Sequence, residues 1–137
     1  MARYLGIDFG TKRVGIAIGD DQTRLAAPWK QINHNGDDLA VSKQISNLAV
    51  EEEIAAVVVG MPVHMDETTS AQTARTQAFV AVLTSVLPIP IHLCDERLTT
   101  AVADERLADR QLTKDQRKAR RDALAAQIIL QDYLDAS

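Results

Sequence analysis

The sequence has a single cysteine, few aromatic residues and no long apolar run. Cys94 has no second cysteine among the 137 residues with which to form a disulfide, which suits a reducing compartment such as the cytoplasm. The first residues lack the pattern of a signal peptide, and no apolar run approaches the roughly 18 residues that cross a bilayer. We therefore expect a cytoplasmic protein that does not act at a membrane.

Aromatic residues make up only 4% of the chain, which is too few for an obvious surface on which nucleic-acid bases could stack. The three histidines are scattered, so there is no histidine and cysteine cluster of the kind that binds zinc. Repeats, low-complexity segments and linkers rich in proline or glycine are also absent. We expect residues 1–137 to form one domain, because 46% hydrophobic residues suffice for a core.

The apolar patterns predict an α/β fold. The expected strands, in chain order, are 3–9, 13–19, 28–33, 54–60 and 89–94. The expected helices are about 37–53, 69–87, 100–109 and 113–134. In the second helix, apolar residues repeat at helical spacing, namely Ala71, Ala74, Ala78, Val82 and Val86. An antiparallel meander followed by crossover helices favours a mixed five-stranded sheet with parallel first, fourth and fifth strands, an edge third strand and helices on both faces.

Asp8 interrupts the first apolar strand and is the first candidate for a functional residue. A charge in a core strand is costly unless it has a partner or binds a metal. In α/β sheets, sites form at the carboxyl ends of parallel strands. We therefore expect Asp8 to lie near Asp95 and Glu96, which follow the last strand.

The last helix contributes another carboxylate. At about 100° per residue, Asp122 shares a face with Ala126, Ile129 and Tyr133. One hypothesis is that Asp122 faces inward and meets the acids at the strand ends. The alternative is an ion pair with Lys118, one turn earlier.

Carboxylates without a cysteine or histidine cluster favour Mg²⁺ or Mn²⁺ over zinc. Such metals activate water and stabilise charge at a transferring phosphate. Although the net charge is −4, basic residues cluster at 114–121. The candidates for contacts with a nucleic-acid backbone are Lys12, Arg13, Arg97, Lys114, Arg117, Lys118 and Arg121. The cluster is also compatible with a solvated helix face that carries salt bridges.

Four motifs occur in an order that resembles the YqgF family of pre-16S rRNA nucleases, which are relatives of the RuvC-type Holliday junction resolvases. The motifs are LGIDFGTKRVGIAIGD (Leu5–Asp20), VVVGMPVHMD (Val57–Asp66), DERLTT (Asp95–Thr100) and RRDALAAQIILQDYL (Arg120–Leu134). The resemblance covers essentially the full chain and implies an RNase H-like fold.

The resemblance implies that Asp8, Glu96 and Asp122 bind the metal and are catalytic. Asp95 is the alternative second ligand, because adjacent strand residues face opposite ways and only one should reach the metal. Arg97 and Thr99 match family positions beside the site. One departure is residues 64–67, His-Met-Asp-Glu where the family often has Asn-Met-Asp-Gly, which leaves the shape of that loop and any substrate role of His64 open.

The expected function is metal-dependent endonuclease activity in the maturation of the 5′ end of pre-16S rRNA, on structured precursor rRNA or pre-30S particles. The same chemistry on branched DNA is the alternative, and paired cuts would then favour a dimer. The sequence leaves open a monomer or a weak homodimer. A non-catalytic module that binds ribosome precursors is an alternative from a different class.

Overall fold

The computed structural model describes residues 1–62, 70–95 and 114–136, with side chains described for 1–62, 71–94 and 123–136. In these ranges the strands are β1 (Arg3–Phe9), β2 (Arg13–Asp20), β3 (Ala26–Asn33), β4 (Ile54–Met61) and β5 (Ile91–Asp95). The helices are α1 (Asp38–Glu51), α2 (Ser70–Val86) and α3 (Lys114–Ala136). The helix expected at 100–109 lies outside the described residues. No helix in the described ranges is both long and apolar enough to cross a bilayer.

The strands form one mixed sheet in the order β3-β2-β1-β4-β5. β2 is antiparallel to β1 and β3, whereas β4 runs parallel to β1 and β5 runs parallel to β4. The predicted sheet is confirmed, including the three parallel strands and the edge position of β3. The carboxyl ends of β1, β4 and β5 therefore meet at one edge, where α/β proteins form their sites.

Side chains of β1 alternate between two apolar clusters, one on each face of the sheet. Leu5, Ile7 and Phe9 belong to the first cluster, which also contains buried residues of α1 and α2. On the opposite face, Tyr4 packs against a second cluster that includes Ala17 of β2. The residues that α3 adds to this second cluster are Ala126, Ile129, Leu130 and Leu134. Helices thus cover both faces, and α3 alone supplies the described helical residues of the second cluster.

Gly6 is the point of closest approach between β1 and α3. A Cβ atom at this position would lie 2.7 Å from the carbonyl oxygen of Ala126 and 2.7 Å from Cβ of Leu130. Cβ atoms do not tolerate contacts this short, and one of the two neighbours is backbone. Any larger residue at position 6 would therefore push α3 away from the sheet.

The expected helix α2 is confirmed, but its predicted apolar face is wrong. Ala71, Ala74 and Ala78 are exposed, and Val82 and Val86 are half-buried. The residues that α2 buries are Thr76, Phe79 and Leu83. Phenylalanine and leucine bury more apolar area than alanine. The helix is therefore oriented with its large side chains, rather than its alanines, toward the core. Thr76 is compatible with burial because its hydroxyl donates to the carbonyl oxygen of Gln72 at 2.9 Å.

The contact at Gly6 leads to a first prediction. Gly6→Ala should lower the free energy of unfolding by about 1–3 kcal/mol, because the added methyl group overpacks the junction of β1 and α3. Urea denaturation measures the change. The matched control is Gly36→Asn, since Gly36 has a φ of +95°, a Cβ there would meet no atom within 4 Å, and asparagine tolerates positive φ. Equal stability of Gly6→Ala and wild type would contradict the close approach.

Candidate functional site

Asp8 lies at the carboxyl end of β1 and is almost fully buried, with 7% of its surface exposed. Among the described side chains, the buried polar or charged residues are Asp8, Ser42 and Thr76, so Asp8 is the only buried carboxylate among them. Alternation along the strand puts Asp8 on the same face as Gly6, which contacts α3. The carboxylate therefore belongs to the face that α3 covers.

The sheet register shows what lies beside Asp8. Asp8 pairs with Gly15 of β2. On the other side, Ile7 pairs with Val59 of β4, so the next residue in register with Asp8 is Gly60. Gly60 in turn pairs with Cys94 of β5. Asp8 thus has a glycine on each neighbouring strand.

Asp95, the last residue of β5, pairs with Met61 at the same edge of the sheet. One strand separates β1 from β5, so the carboxyl ends of these two strands are about 10 Å apart at ordinary strand spacing. Glu96, Arg97, Thr99 and His64 lie outside the described residues. The convergence of the predicted acids therefore stays a prediction.

α3 carries the remaining predicted site residues, which are Lys114, Arg117, Lys118, Arg121 and Asp122. Its side chains are described from residue 123 onward. The face predicted to hold Ala126 and Ile129 is confirmed, because both are fully buried. Tyr133, one turn further on, makes an edge contact with the ring of Tyr4, with centroids 5.7 Å apart.

The turn at residues 10–13 follows Asp8 and carries two cations. The Gly10 N–H donates to the carbonyl oxygen of Arg13 at 2.8 Å, and a Cβ at position 10 would lie 2.7 Å from that oxygen. The turn therefore requires glycine. Lys12 is exposed and Arg13 is half-exposed, so both predicted phosphate contacts are accessible at the edge where Asp8 lies.

Phe9, the residue after Asp8, lies on the opposite face within a set of contacts that the sequence did not predict. Its ring stacks on Phe79, with centroids 4.3 Å apart, and on His34 at 5.1 Å. The guanidinium of Arg75 lies 4.9 Å from the same ring. The side-chain amide of Gln72 donates to the Phe9 carbonyl oxygen at 3.2 Å. We call His34, Gln72, Arg75 and Phe79 the Phe9 clamp.

Arg75 also joins α2 to α1. Its two terminal nitrogens donate to the two carboxylate oxygens of Asp38 at 2.7 and 2.6 Å. These hydrogen bonds raise the pKa of the Arg75 guanidinium above its ordinary value. Asp38 follows Asp37, whose carboxylate accepts from the Ala40 N–H at 3.1 Å and caps α1. The pair thus fixes the start of α1 against α2 beside Phe9.

An open cleft of about 470 Å³ lies at the carboxyl end of β3, next to the Phe9 clamp. Its polar lining consists of Asn33, His34, Asn35, Asp37 and Gln44. His34 belongs to both the cleft and the clamp. The cleft is therefore connected through one side chain to the turn that follows Asp8.

Within the described residues, no group of three or more histidine, cysteine, aspartate or glutamate side chains is arranged to hold a metal ion. Of the predicted ligands, only the side chain of Asp8 belongs to this described set. Its oxygen donors are of the type that Mg²⁺ and Mn²⁺ prefer, so the residue fits the predicted metal.

Comparison with known families gives a match over nearly the whole chain. The model of the RuvX family, described as Holliday junction resolvase, matches residues 2–136. A protein of Chloroflexus aggregans named "Putative pre-16S rRNA nuclease" is 41% identical over 96% of this chain and 92% of its own length. A protein of the same name from Roseiflexus is 38% identical over 98% of this chain and 94% of its own length.

Solved structures share the fold at low sequence identity. RuvC of Thermus thermophilus in complex with a Holliday junction superposes with a TM-score of 0.64 and 13% identity, over 99% of this chain and 95% of RuvC. The Fowlpox virus resolvase bound to junction DNA gives a TM-score of 0.56 and 8% identity, over 98% of this chain and 97% of the resolvase. The predicted RNase H-like fold is confirmed.

The ion pair beside Phe9 leads to a second prediction. A double-mutant cycle with Asp38→Asn and Arg75→Met should give a coupling free energy of about 1 kcal/mol, because the pair is bidentate but partly exposed. Urea denaturation of the four proteins measures it. The coupling should fall in 1 M NaCl, since salt screens exposed charges. A coupling of zero at low salt would show that the pair does not hold α1 to α2.

Proposed function

Because the chain belongs to the RuvX family, whose model matches residues 2–136, we propose that it is a metal-dependent endonuclease of 5′-end maturation of pre-16S rRNA. Membership of this family of nucleases gives the enzyme class, which is a nuclease that hydrolyses phosphodiester bonds. The proposed substrate is structured precursor rRNA in the cytoplasm, free or within pre-30S particles. The observation that carries the proposal is the buried carboxylate of Asp8 at the carboxyl edge of the parallel strands.

The direction of α3 supports Asp122 as a second metal ligand. Leu134 lies near Gly19, which pairs with Tyr4, whereas Ala126 lies against Gly6. Going backwards along α3 is therefore going forwards along β1. Asp8 is two residues beyond Gly6, about 7 Å, and position 122 is four residues before Ala126, about 6 Å. The two steps match in length and direction.

Alternation along β5 supports Glu96 over Asp95 as the remaining ligand. Cys94 belongs to the apolar cluster on the α3 face, and its thiol lies 3.9 Å from the carbonyl oxygen of Ile129. Residues two apart in a strand share a face, whereas neighbours do not. We therefore propose Glu96, which is two residues from Cys94 in the sequence, as the ligand in preference to Asp95, which is one residue from it.

The chemistry proposed for these residues is the binding of a hard cation and a phosphodiester. Bound Mg²⁺ or Mn²⁺ would supply an activated water and polarisation of the phosphoryl oxygen. The carboxylate of Asp8 is shielded from bulk water, which strengthens its attraction for a cation. Lys12 and Arg13, on the turn after Asp8, would contact the backbone phosphates, and Arg97, Thr99 and the basic residues of α3 would extend this contact.

Branched DNA is the second candidate substrate, because the matching family model is described as Holliday junction resolvase. Backbone contacts do not distinguish RNA from DNA. A resolvase makes paired cuts, so this function would require a dimer. The nuclease site would be the same in both cases.

A third prediction tests the site. Asp8→Asn should reduce kcat for cleavage of a precursor rRNA fragment in Mn²⁺ by at least about 100-fold, which corresponds to about 2.7 kcal/mol in the barrier. The matched control is Glu51→Gln, which neutralises an exposed carboxylate at the end of α1. The control should cleave at the wild-type rate. Unchanged cleavage by Asp8→Asn would overturn the proposed site.

A fourth prediction tests the substrate. The wild-type protein should cleave a precursor fragment that spans the 5′ end of 16S rRNA faster than a four-way DNA junction at equal concentration. Sedimentation under the assay conditions would show whether the active species is a monomer. Preference for the junction by a dimer would overturn the rRNA assignment while keeping the nuclease. Binding of the rRNA fragment without cleavage of either substrate would identify a non-catalytic binding module.

A further inference from the structure

His34 binds the turn after Asp8 through both its side chain and its backbone. Its Nε2 donates to the carbonyl oxygen of Gly10 at 2.8 Å, and its backbone N–H donates to the carbonyl oxygen of Lys12 at 2.9 Å. The Gly36 N–H donates to its Nδ1 at 3.1 Å. A neutral imidazole offers one donor and one acceptor, so these contacts assign the hydrogen to Nε2 and use both nitrogens.

The contact with Gly10 lies just beyond the end of the strand ladder. The pairing of β1 with β2 ends at Phe9 and Val14. The Phe9 carbonyl oxygen accepts from Gln72, and the Gly10 carbonyl oxygen accepts from His34. Beyond the end of the strand pairing, side chains thus bind the carbonyl oxygens of residues 9 and 10. These hydrogen bonds fix the backbone direction of the residues that follow Asp8.

The ring of His34 also packs against the ring of Phe9. It stacks on the Phe9 ring at 5.1 Å with an interplanar angle of 20°, while Phe79 stacks on Phe9 at 4.3 Å. Phe9 is covalently next to Asp8, so packing that fixes the Phe9 side chain also restrains the backbone that carries the carboxylate. A misplacement of about 1 Å in a catalytic site can cost about 100-fold in rate.

We propose that His34 is a positioning residue of the nuclease site, which holds the turn at residues 10–13 so that Asp8 and Lys12 are aligned for the metal and the phosphate. This role rests on the proposed function. It requires the Nε2 donor, because that atom makes the contact with Gly10. The stacking on Phe9 and the contact with Gly36 hold the His34 ring in place, but neither of them binds the turn at residues 10–13.

Two amide variants separate the donor from the rest of the ring. The amide nitrogen of glutamine reaches about as far as Nε2, so His34→Gln retains a donor for the Gly10 carbonyl oxygen. The shorter asparagine places its amide near the position of Nδ1, so His34→Asn retains only the side that faces Gly36. His34→Ala removes both contacts. The matched control is His92→Ala, which removes an exposed imidazole that stacks on Tyr133 at 5.4 Å.

The experiment is a titration of the full-length protein with Mn²⁺ alone, followed by electron paramagnetic resonance. His34→Ala and His34→Asn should weaken Mn²⁺ binding by about 10- to 100-fold, which is the typical effect of mutating a residue that orients the ligands of a metal. His34→Gln should bind within about threefold of wild type, and His92→Ala should be unchanged. Cleavage of precursor rRNA should show the same order in kcat. Urea denaturation of each variant separates these effects from loss of fold.

Equal Mn²⁺ affinity of His34→Ala and wild type would overturn the positioning role. Equal weakening in His34→Gln and His34→Asn, at equal stability, would also overturn it, since the donor to Gly10 would not be what matters. Asp8→Asn distinguishes these outcomes from failure of the proposed function. If that variant binds Mn²⁺ and cleaves normally, the site itself is wrong, whatever the behaviour of His34.

Discussion

The contact between Gly6 and α3 determines how the two sides of β1 are used. A Cβ on residue 6 would lie 2.7 Å from backbone and side-chain atoms of α3, so the helix lies as close to the strand as glycine allows. This approach puts the buried residues of α3 against the sheet and makes the α3 face the one to which Asp8 belongs. α3 runs antiparallel to β1, so the part of α3 that precedes Ala126 in the sequence lies toward the end of β1 that carries Asp8.

On the opposite face of β1, the side chains around Phe9 fix the end of the strand. Phe9 is packed between Phe79 and His34, with Arg75 beside it, and its carbonyl oxygen is bound by Gln72. Asp8 and Phe9 are adjacent, so a rigid apolar anchor on one face stabilises the backbone of a polar residue on the other. Because neighbouring residues of a strand face opposite ways, Phe9 packs on one face of the sheet and Asp8, the proposed metal ligand, belongs to the other.

The sheet could be predicted from the sequence because its signals are local. Short apolar runs, the turn at residues 10–13 and Pro28 gave the strands and the edge, and crossover helices gave the parallel pairs. The prediction of the apolar face of α2 is wrong, because helical spacing alone takes no account of side-chain size. The large side chains of Phe79 and Leu83 are buried in place of the alanines. The Phe9 clamp left no pattern, since Gln72 and His34 lie 63 and 24 residues from their backbone partners Phe9 and Gly10. The position of Asp8 in an apolar strand identifies it as a candidate, whereas the proposal of Glu96 as a metal ligand depends on the family resemblance.

The glycines beside Asp8 explain why a carboxylate at this position is compatible with a tightly packed sheet. Gly15 is its partner on β2, and Gly60 is the residue in register on β4. Opposite side chains on neighbouring strands ordinarily lie about 5 Å apart, close enough to fill the space around a carboxylate. The residues directly opposite Asp8 on the two neighbouring strands therefore have no side chain beyond the backbone. This leaves room beside the carboxylate for groups from the α3 layer and from the segments at the strand ends, and the other two proposed ligands belong to these parts of the sequence.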